Sequence, residues 1–471
     1  MTDSTTEVPA REQVISLYAS QPKIQPRAVS GWFHNWRWAL VWATQLLFYG
    51  VPWLQWNGRQ AVLFDLAARR FYLGPLVLYP QDFIYLTGLL IVSAYALFLF
   101  TAVAGRLWCG YACPQTVYTE IFMWVEQRFE GDRNKRLKLD AAGFSLDKLL
   151  RRGGKHLAWG AIALWTGFSF VGYFTPIRSL MAAVPGFAFG PWELFWIGFY
   201  SLATYGNAGW LREQVCKYMC PYARFQSAMF DRDTLIISYD TGRGEPRGTR
   251  GRKADLDSAK LGHCIDCGLC VQVCPTGIDI RKGLQYECIG CAACIDVCNG
   301  VMDKMQYPRG LIRYDTLNGM EQHLDRKSEW ARVFRPRVLV YTGVLVLIVG
   351  ALLVGLLTRP AIRVDVVRDR GVLSRVVEDG WVENVYRLQV MNATEQMQSV
   401  RVGASGLPGM QLVPVPAITL AGAEARWVPV AVRIPPEAAA QAGAGSHAIR
   451  FDVEVAGEAP LTEKSTFMVP R

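Results

Sequence analysis

Cysteine is missing from most of this chain. None precedes Cys109 and none follows Cys298, so whatever chemistry sulfur carries lies in the middle of the 471 residues. No secretory signal opens the sequence: MTDSTTEVPA is polar and hydrophobicity begins well downstream, so the first apolar run reads as an uncleaved anchor. Acidic residues are outnumbered, 40 against 50 Lys plus Arg, for a net charge of +10. Because Lys and Arg flank apolar runs, that balance fits the basic faces of a membrane protein, and no nucleic-acid partner is expected. Phosphate loops are lacking too. The stretch TGRGEPRGTRGRKAD (Thr241 to Asp255) neither follows a strand nor opens a helix, so it is no flavin or nicotinamide fingerprint. It reads as a mobile basic loop, attracted at most to anionic headgroups.

What the middle contains is a doubled pattern. Cys264, Cys267, Cys270 and Cys274 follow C-x2-C-x2-C-x3-C-P, and Cys288, Cys291, Cys294 and Cys298 repeat it with Asn299 in place of the proline. In two-cluster ferredoxins a tight loop gives three thiolates to one [4Fe–4S] centre while the fourth cysteine reaches the other. By that rule Cys264, Cys267, Cys270 and Cys298 hold one cluster, and Cys288, Cys291, Cys294 and Cys274 hold the second. Structural zinc prefers two separated C-x2-C pairs, often with His, and has no use for two complete four-cysteine runs. Clusters of this kind pass single electrons, and eight reduced thiolates imply a reducing compartment.

Five runs near membrane length carry no charge: Trp38 to Trp56, Phe83 to Gly105, His156 to Ile177, Leu194 to Leu211 and Val338 to Leu357. About 20 residues cross a ~30 Å hydrocarbon core. Trp32, Phe33, Trp36 and Trp38 form an interfacial belt beside Arg37. Lys and Arg number ten between Arg106 and Lys155 and twenty between Arg212 and Arg337, but only three in the connector before Asp82. Positive charge stays inside, so the N-terminus and the cluster region are expected in the cytoplasm and the C-terminus outside. Beyond the last run, alternating segments such as Val382 to Asn392 and Ala425 to Ile434, separated by turn residues, suggest a small antiparallel sandwich. His447, alone on such a segment, reads as structural or solvent-facing. The expected plan is a tail (1–36), a four-helix membrane domain (37–211), a ferredoxin-like domain (212–337), a fifth span (338–358) and an immunoglobulin-like domain (359–471).

Two further motifs each follow a pair of apolar runs: WCGYACPQ with Cys109 and Cys113, and VCKYMCPY with Cys216 and Cys220. Together they suggest a duplicated unit. Residues four apart share a helix face, while the following proline disfavours helix at the second cysteine and suits the start of a new one. In either geometry the paired sulfurs converge. Buried cysteine can pack as a small hydrophobe, but reactive groups at a membrane boundary are usually functional. Three chemistries stay open: Cu(I) binding with Met219 and Met123 as added thioethers, dithiol–disulfide cycling, or a third metal centre on all four thiolates.

Five spans, WCGYACPQ, VCKYMCPYARFQ, the doubled cluster motif and a cysteine-free C-terminal sandwich together resemble the CcoG/FixG/Rdx family. Its members are accessory factors in maturation of bacterial cbb(3)-type cytochrome c oxidase, and the likeness covers nearly the whole chain. Asn299 is the one departure noticed, and it removes a turn constraint rather than a ligand. The resemblance implies a polytopic α-helical membrane protein of five spans, with a cytoplasmic α+β two-cluster ferredoxin-like domain and a periplasmic all-β immunoglobulin-like sandwich. It implies a membrane-bound enzyme of the bacterial cytoplasmic membrane that reduces Cu(II) to Cu(I) for the oxidase's copper centre. The cofactors would be two [4Fe–4S] clusters on the eight cysteines from Cys264 to Cys298. Cys109, Cys113, Cys216 and Cys220 would be the catalytic redox or copper positions. Expected partners are oxidase subunits or copper chaperones and transporters, a cytoplasmic electron donor that no motif identifies, and lipid. A homodimer is left open, since Gly343, Gly350 and Gly355 lack the four-residue spacing of a tight dimer face. Two other readings stand beside this one. A quinol dehydrogenase would need a quinone pocket, which no His or acid pair in the spans announces; a non-enzymatic assembly scaffold would dock through the sandwich.

Overall fold

Helices of two kinds build the first half of the protein, whose computed structural model describes residues 23–252, 260–322, 331–369, 371, 373–413, 417–455 and 460–470. The segment MTDSTTEVPA lies outside the described residues. Among those described, two helices are long and apolar enough to cross a membrane: Pro80–Ala104, mean hydropathy 2.2, and Pro336–Leu357, mean hydropathy 2.6. They pack on each other where Gly88 leaves room for Leu352 and the Tyr85 hydroxyl donates to the Gly355 carbonyl at 2.8 Å.

The remaining apolar runs form helices whose ends differ from the expected ones for identifiable reasons. Helix α1 (Trp32–Gly50) begins six residues before the expected Trp38. The Asp296 carboxylate, from the cysteine region, caps it by accepting the N–H groups of Phe33 at 3.2 Å and His34 at 2.8 Å. It ends where Pro52 sits in a 3₁₀ turn. Helix α2 (Phe83–Ala104) is followed by a short α3 (Leu107–Tyr111), α4 (Pro114–Glu130) and α5 (Arg133–Ala141). Helix α6 (Leu146–Val171) starts ten residues before His156 because Ser145 caps it, its hydroxyl accepting from the Lys148 N–H at 3.2 Å. After α7 (Ile177–Ala183), helix α8 (Pro191–Thr204) continues as a π-helical stretch, Tyr205–Leu211. Trp42, Leu46 and Leu47 of α1, Leu157 and Leu164 of α6, and Phe199 and Leu202 of α8 all face outward. Apolar surface of that extent marks contact with lipid or protein.

The two ends of the helical bundle carry different partners. At one end the α1–α2 connector folds into a three-stranded antiparallel sheet, Val62–Asp65, Arg70–Leu73 and Leu76–Leu78. Its Leu63, Tyr72, Val77 and Tyr79 pack against Met391 and Ala393 of the C-terminal domain, and the Tyr79 hydroxyl donates to the Asn392 carbonyl at 2.9 Å. The buried Asp82 carboxylate binds Arg359 and, at 2.7 Å, Arg363. The C-terminal domain is the expected antiparallel sandwich. One sheet runs Gln411–Leu412, Ala425–Ile434, Val382–Asn392, Ile362–Arg368, with Arg375–Val376 also pairing with Val382–Asn392; the other runs Ile418–Leu420, Gln398–Ser405, Gly445–Val455, Leu461–Val469. Tyr386, Leu388, Val432, Phe451 and Phe467 fill the space between. His447 is bonded to the Gly443 carbonyl at 2.9 Å, in keeping with a structural role.

At the opposite end, Ile236–Tyr239 pairs antiparallel with Ile312–Asp315, and the helix Ala293–Met305 packs beneath them. The basic stretch expected to be a free loop is instead docked here as far as it is described; residues 253–259 lie outside the described set. Thr241–Gly244 is a short helix. The Arg243 guanidinium donates to the Pro308 carbonyl at 2.7 Å, and Arg250 donates to the carbonyls of Gly262 at 2.5 Å and Cys264 at 3.3 Å. These arginines satisfy carbonyls that the surrounding loops leave without secondary structure.

Candidate functional site

Each half of the doubled cysteine motif folds as the same loop. Asp266 and Gly268 have φ of 51° and 63°; Gly290 and Ala292, at the same offsets in the second run, have φ of 69° and 59°. Left-handed residues at alternate positions curl the chain so that successive backbone N–H groups and thiols face one concavity. A helix leaves each loop, Leu269–Gln272 after Gly268 and Ala293–Met305 after Ala292. Cys264, Cys267, Cys270 and Cys298 line one cavity, with Leu269, Val297 and Ile312 among the apolar walls. Cys274, Cys288, Cys291 and Cys294 line a second, with Ile278, Ile280 and Ile289, and Cys270 stands at the boundary. Each cavity thus takes three cysteines from one run and the fourth from the other.

Among the described residues, no three His, Cys, Asp or Glu side chains are arranged to hold a metal ion. The thiols surround space instead of converging on a point, and four sulfurs around each of two apolar cavities is the donor set a cubane cluster requires. Burial pushes the thiols of Cys288 and Cys298 up to about 12 and those of Cys270 and Cys291 to about 11. Metal binding must therefore displace protons. Two buried arginines, neither marked out by a motif, serve the second loop. Arg37 donates to the Cys291 carbonyl at 2.8 Å, and Arg106 donates to the carbonyls of Tyr286, Ala223 and, at 3.4 Å, Cys288.

The two C-x3-C-P motifs adopt matching geometry. Cys113 and Cys220 each stand at the N-cap, with proline at the first position of α4 and of α9 (Pro221–Met229). Cys109 lies in α3 and Cys216 in a π-helical turn, Val215–Met219. The four thiols form one electrostatically coupled group: Cys109 senses Cys113 and Cys216, and Cys216 senses Cys113 and Cys220. Burial, reinforced by these neighbours and opposed by Arg106, pushes Cys109 up to about 12 and Cys216 to about 11. The Cys109 thiol donates to Gln226 Oε1 at 3.3 Å. Met123 shares a cavity with Cys216 and Cys291, whereas Met219 is 60% exposed.

This group adjoins the second cysteine cavity. Cys109 and Cys216 pack with Val273, Ile289, Cys291 and Ala293. Gly110 is essential to the approach, since a Cβ there would fall 2.8 Å from the Gly290 carbonyl and 2.9 Å from the Cys291 Cα. The glycine inside WCGYACP was the available signal for this contact, though nothing in the sequence named its partner. Glu126, 1% exposed, ties the surrounding helices together through Arg136 at 2.9 Å and Arg212 at 3.0 Å. Burial alone would raise its carboxyl, but Arg212, Lys23, Arg136 and Lys155 hold it down at about 2.

With that geometry in view, similarity to known proteins becomes informative. A 4Fe-4S dicluster model matches residues 211–317, and a 4Fe-4S binding domain model matches residues 86–133, which include Cys109 and Cys113. A third model, the IG-like fold at the C-terminal of FixG, matches residues 352–470. The nitrogen fixation protein FixG of Rhizobium meliloti (strain 1021) is 41% identical over 423 residues, spanning 83% of this chain and 81% of that protein. The chain belongs to the FixG/Rdx family. Proteins RdxA and RdxB of Cereibacter sphaeroides are 39% and 40% identical, over 84% and 83% of the chain and 85% and 84% of their own lengths. This FixG/Rdx member is an iron–sulfur redox protein with ferredoxin-type domains and a C-terminal IG-like domain, and its two exposed apolar helices fit membrane association.

Proposed function

We propose that this protein is a membrane-bound iron–sulfur oxidoreductase that reduces Cu(II) to Cu(I) for assembly of the copper centre of a cbb(3)-type cytochrome c oxidase. In this reading five helices span the bacterial cytoplasmic membrane. The cysteine-bearing end faces the cytoplasm, and the IG-like domain, with the α1–α2 connector packed on it, faces the periplasm. The Lys and Arg counts support that orientation, because the rich loops, Arg106 to Lys155 and Arg212 to Arg337, both lie at the cysteine-bearing end.

Cys264, Cys267, Cys270 and Cys298 would hold one [4Fe–4S] cluster and Cys274, Cys288, Cys291 and Cys294 the other. When bound, the clusters supply one-electron transfer. The chain's own contribution is positional. Arg37 and Arg106 brace the second loop, Gly110 lets the first C-x3-C-P motif lie against it, and the four gathered thiols present soft sulfur that favours Cu(I) over Cu(II). Copper enters here as substrate.

The observation that carries the reading is the packing of Cys109 and Cys216 on the wall of the second cysteine cavity. It is tested by measuring Cu(I) formation by purified protein carrying Cys109→Ser and Cys216→Ser. At least a tenfold loss of rate, about 1.4 kcal/mol of barrier, is expected; an unchanged rate removes these motifs from the mechanism.

A further inference from the structure

A cavity of about 600 Å³ lies between α1, α4, α5 and the cysteine module, a volume within the range of small-molecule sites. Three features define its chemistry. First, it shares a wall with the second cysteine cavity, because Ala293 lines both. Second, Arg37 and Arg136, only 5% and 4% exposed, line it with Nε–H groups that have no partner among the described residues. Two buried donors without acceptors point to a ligand that brings oxygen atoms. Third, Trp38, Trp42 and Trp124 border it, and Trp42 is 61% exposed on the outer face of α1. One side is therefore aromatic and open toward the apolar surround, and the other is polar and faces the cysteine module.

We propose that this cavity binds the ring of a membrane quinol or quinone, its two ring oxygens meeting the arginine donors and its tail leaving past the tryptophans. This deepens the redox reading above, on which it rests, by naming the class of the electron donor. The balance closes. One quinol gives one quinone, two electrons and two protons, and the two electrons convert two Cu(II) to two Cu(I). Glu120 and His34, which line the same cavity, are the acceptors within reach for the protons before these pass to solvent. They are the His and acid pair whose absence from the apolar runs left a quinone pocket unannounced. A dinucleotide fits poorly, since Glu120 and Asp132 set carboxylates in the lining that would repel its phosphates. A phospholipid headgroup would satisfy the arginines but has no reason to share the redox module's wall.

The test uses the full chain, with iron loaded, in phospholipid nanodiscs and a photoreactive azidobenzoquinone as probe. Irradiation is expected to label peptides containing Trp38 to Trp42 and Glu120 to Gln127. Decylubiquinone should suppress that label by about tenfold, and Gln127→Trp, an exposed residue at the cavity's edge, should lower it comparably with iron content unchanged. Arg37→Met should weaken labelling further. Label spread over the apolar face of Pro336–Leu357 without competition overturns the proposal. So does native mass spectrometry that finds retained phospholipid and no quinone. Binding is read without copper, so intact labelling with no Cu(II) reduction would count against the cupric reading alone.

Discussion

The two cysteine cavities are made from one loop used twice, but their surroundings diverge. The outer cavity, with Cys264, Cys267, Cys270 and Cys298, includes an exposed thiol, Cys267. Arg281, which lines it, is neutralised by Asp279 at 2.8 Å and by Asp266, and the half-buried Arg250 donates to the Cys264 carbonyl at 3.3 Å. The inner cavity, with Cys274, Cys288, Cys291 and Cys294, lies against the C-x3-C-P motifs and is braced by two buried arginines on ligand carbonyls. Among the described residues, Arg37 pairs with a carboxylate no closer than 3.6 Å, that of Glu120. Hydrogen bonds and net charge near a cluster set its potential. Positive charge that is not closely neutralised stabilises the reduced form, so the inner centre is expected to hold its electron more tightly. The duplicated motif thus supplies two similar sites, and residues outside the motif make them unequal.

Four experiments test that contrast. The largest effect is expected from Cys294→Ser, which should abolish the inner paramagnetic signal, lower bound iron from about eight atoms per chain to about four and stop copper reduction. Cys267→Ser, at the exposed outer thiol, should leave the inner signal in place. If both variants lose both signals, the cavities are not separate centres. Next is Gly110→Ala, whose added methyl pushes the first C-x3-C-P motif away from Gly290. Copper reduction should fall by roughly tenfold to a hundredfold, since ~1 Å of misplacement can cost that much, while both cluster signals persist. Arg37→Met should lower the inner potential by about 60 mV, the equivalent of tenfold in a one-electron equilibrium, and a redox titration should show the outer centre unmoved. The smallest effect is expected from Asp279→Asn. Freed of that carboxylate, Arg281 should raise the outer potential by a fraction of that amount, because Asp279 and its partner are partly exposed and screened by water. An outer potential that falls instead would mean that Arg281 does not govern it.

Much of the site could be read from spacing because its geometry is local. Three cysteines within seven residues cannot avoid one concavity, and Cys294 and Cys298, one turn apart on the helix Ala293–Met305, can serve two neighbouring cavities. Proline after Cys113 and Cys220 forces each to be a helix cap, and both are. Helix starts were less legible. Helix α1 begins early because of Asp296, which lies far along the chain, and local propensity carries no trace of that cap. The basic stretch after Thr241 looked free because its partners, the carbonyls of Pro308 and Cys264, follow in later loops. Arg37 read as an interfacial anchor; only folding brings its guanidinium to the Cys291 carbonyl.

Legible in the residues alone were the family, the doubled spacing of the eight cysteines, the capping role of the second cysteine in each C-x3-C-P motif and the sandwich at the end. All of these follow from periodicity, fixed spacing or the limited conformations of proline and glycine. Tertiary structure alone decided which cavity meets the C-x3-C-P thiols, which buried arginines lean on it, and that a cavity flanked by tryptophan opens beside it. Those are contacts between residues far apart along the chain, set by how helices and loops pack, and no local pattern encodes them.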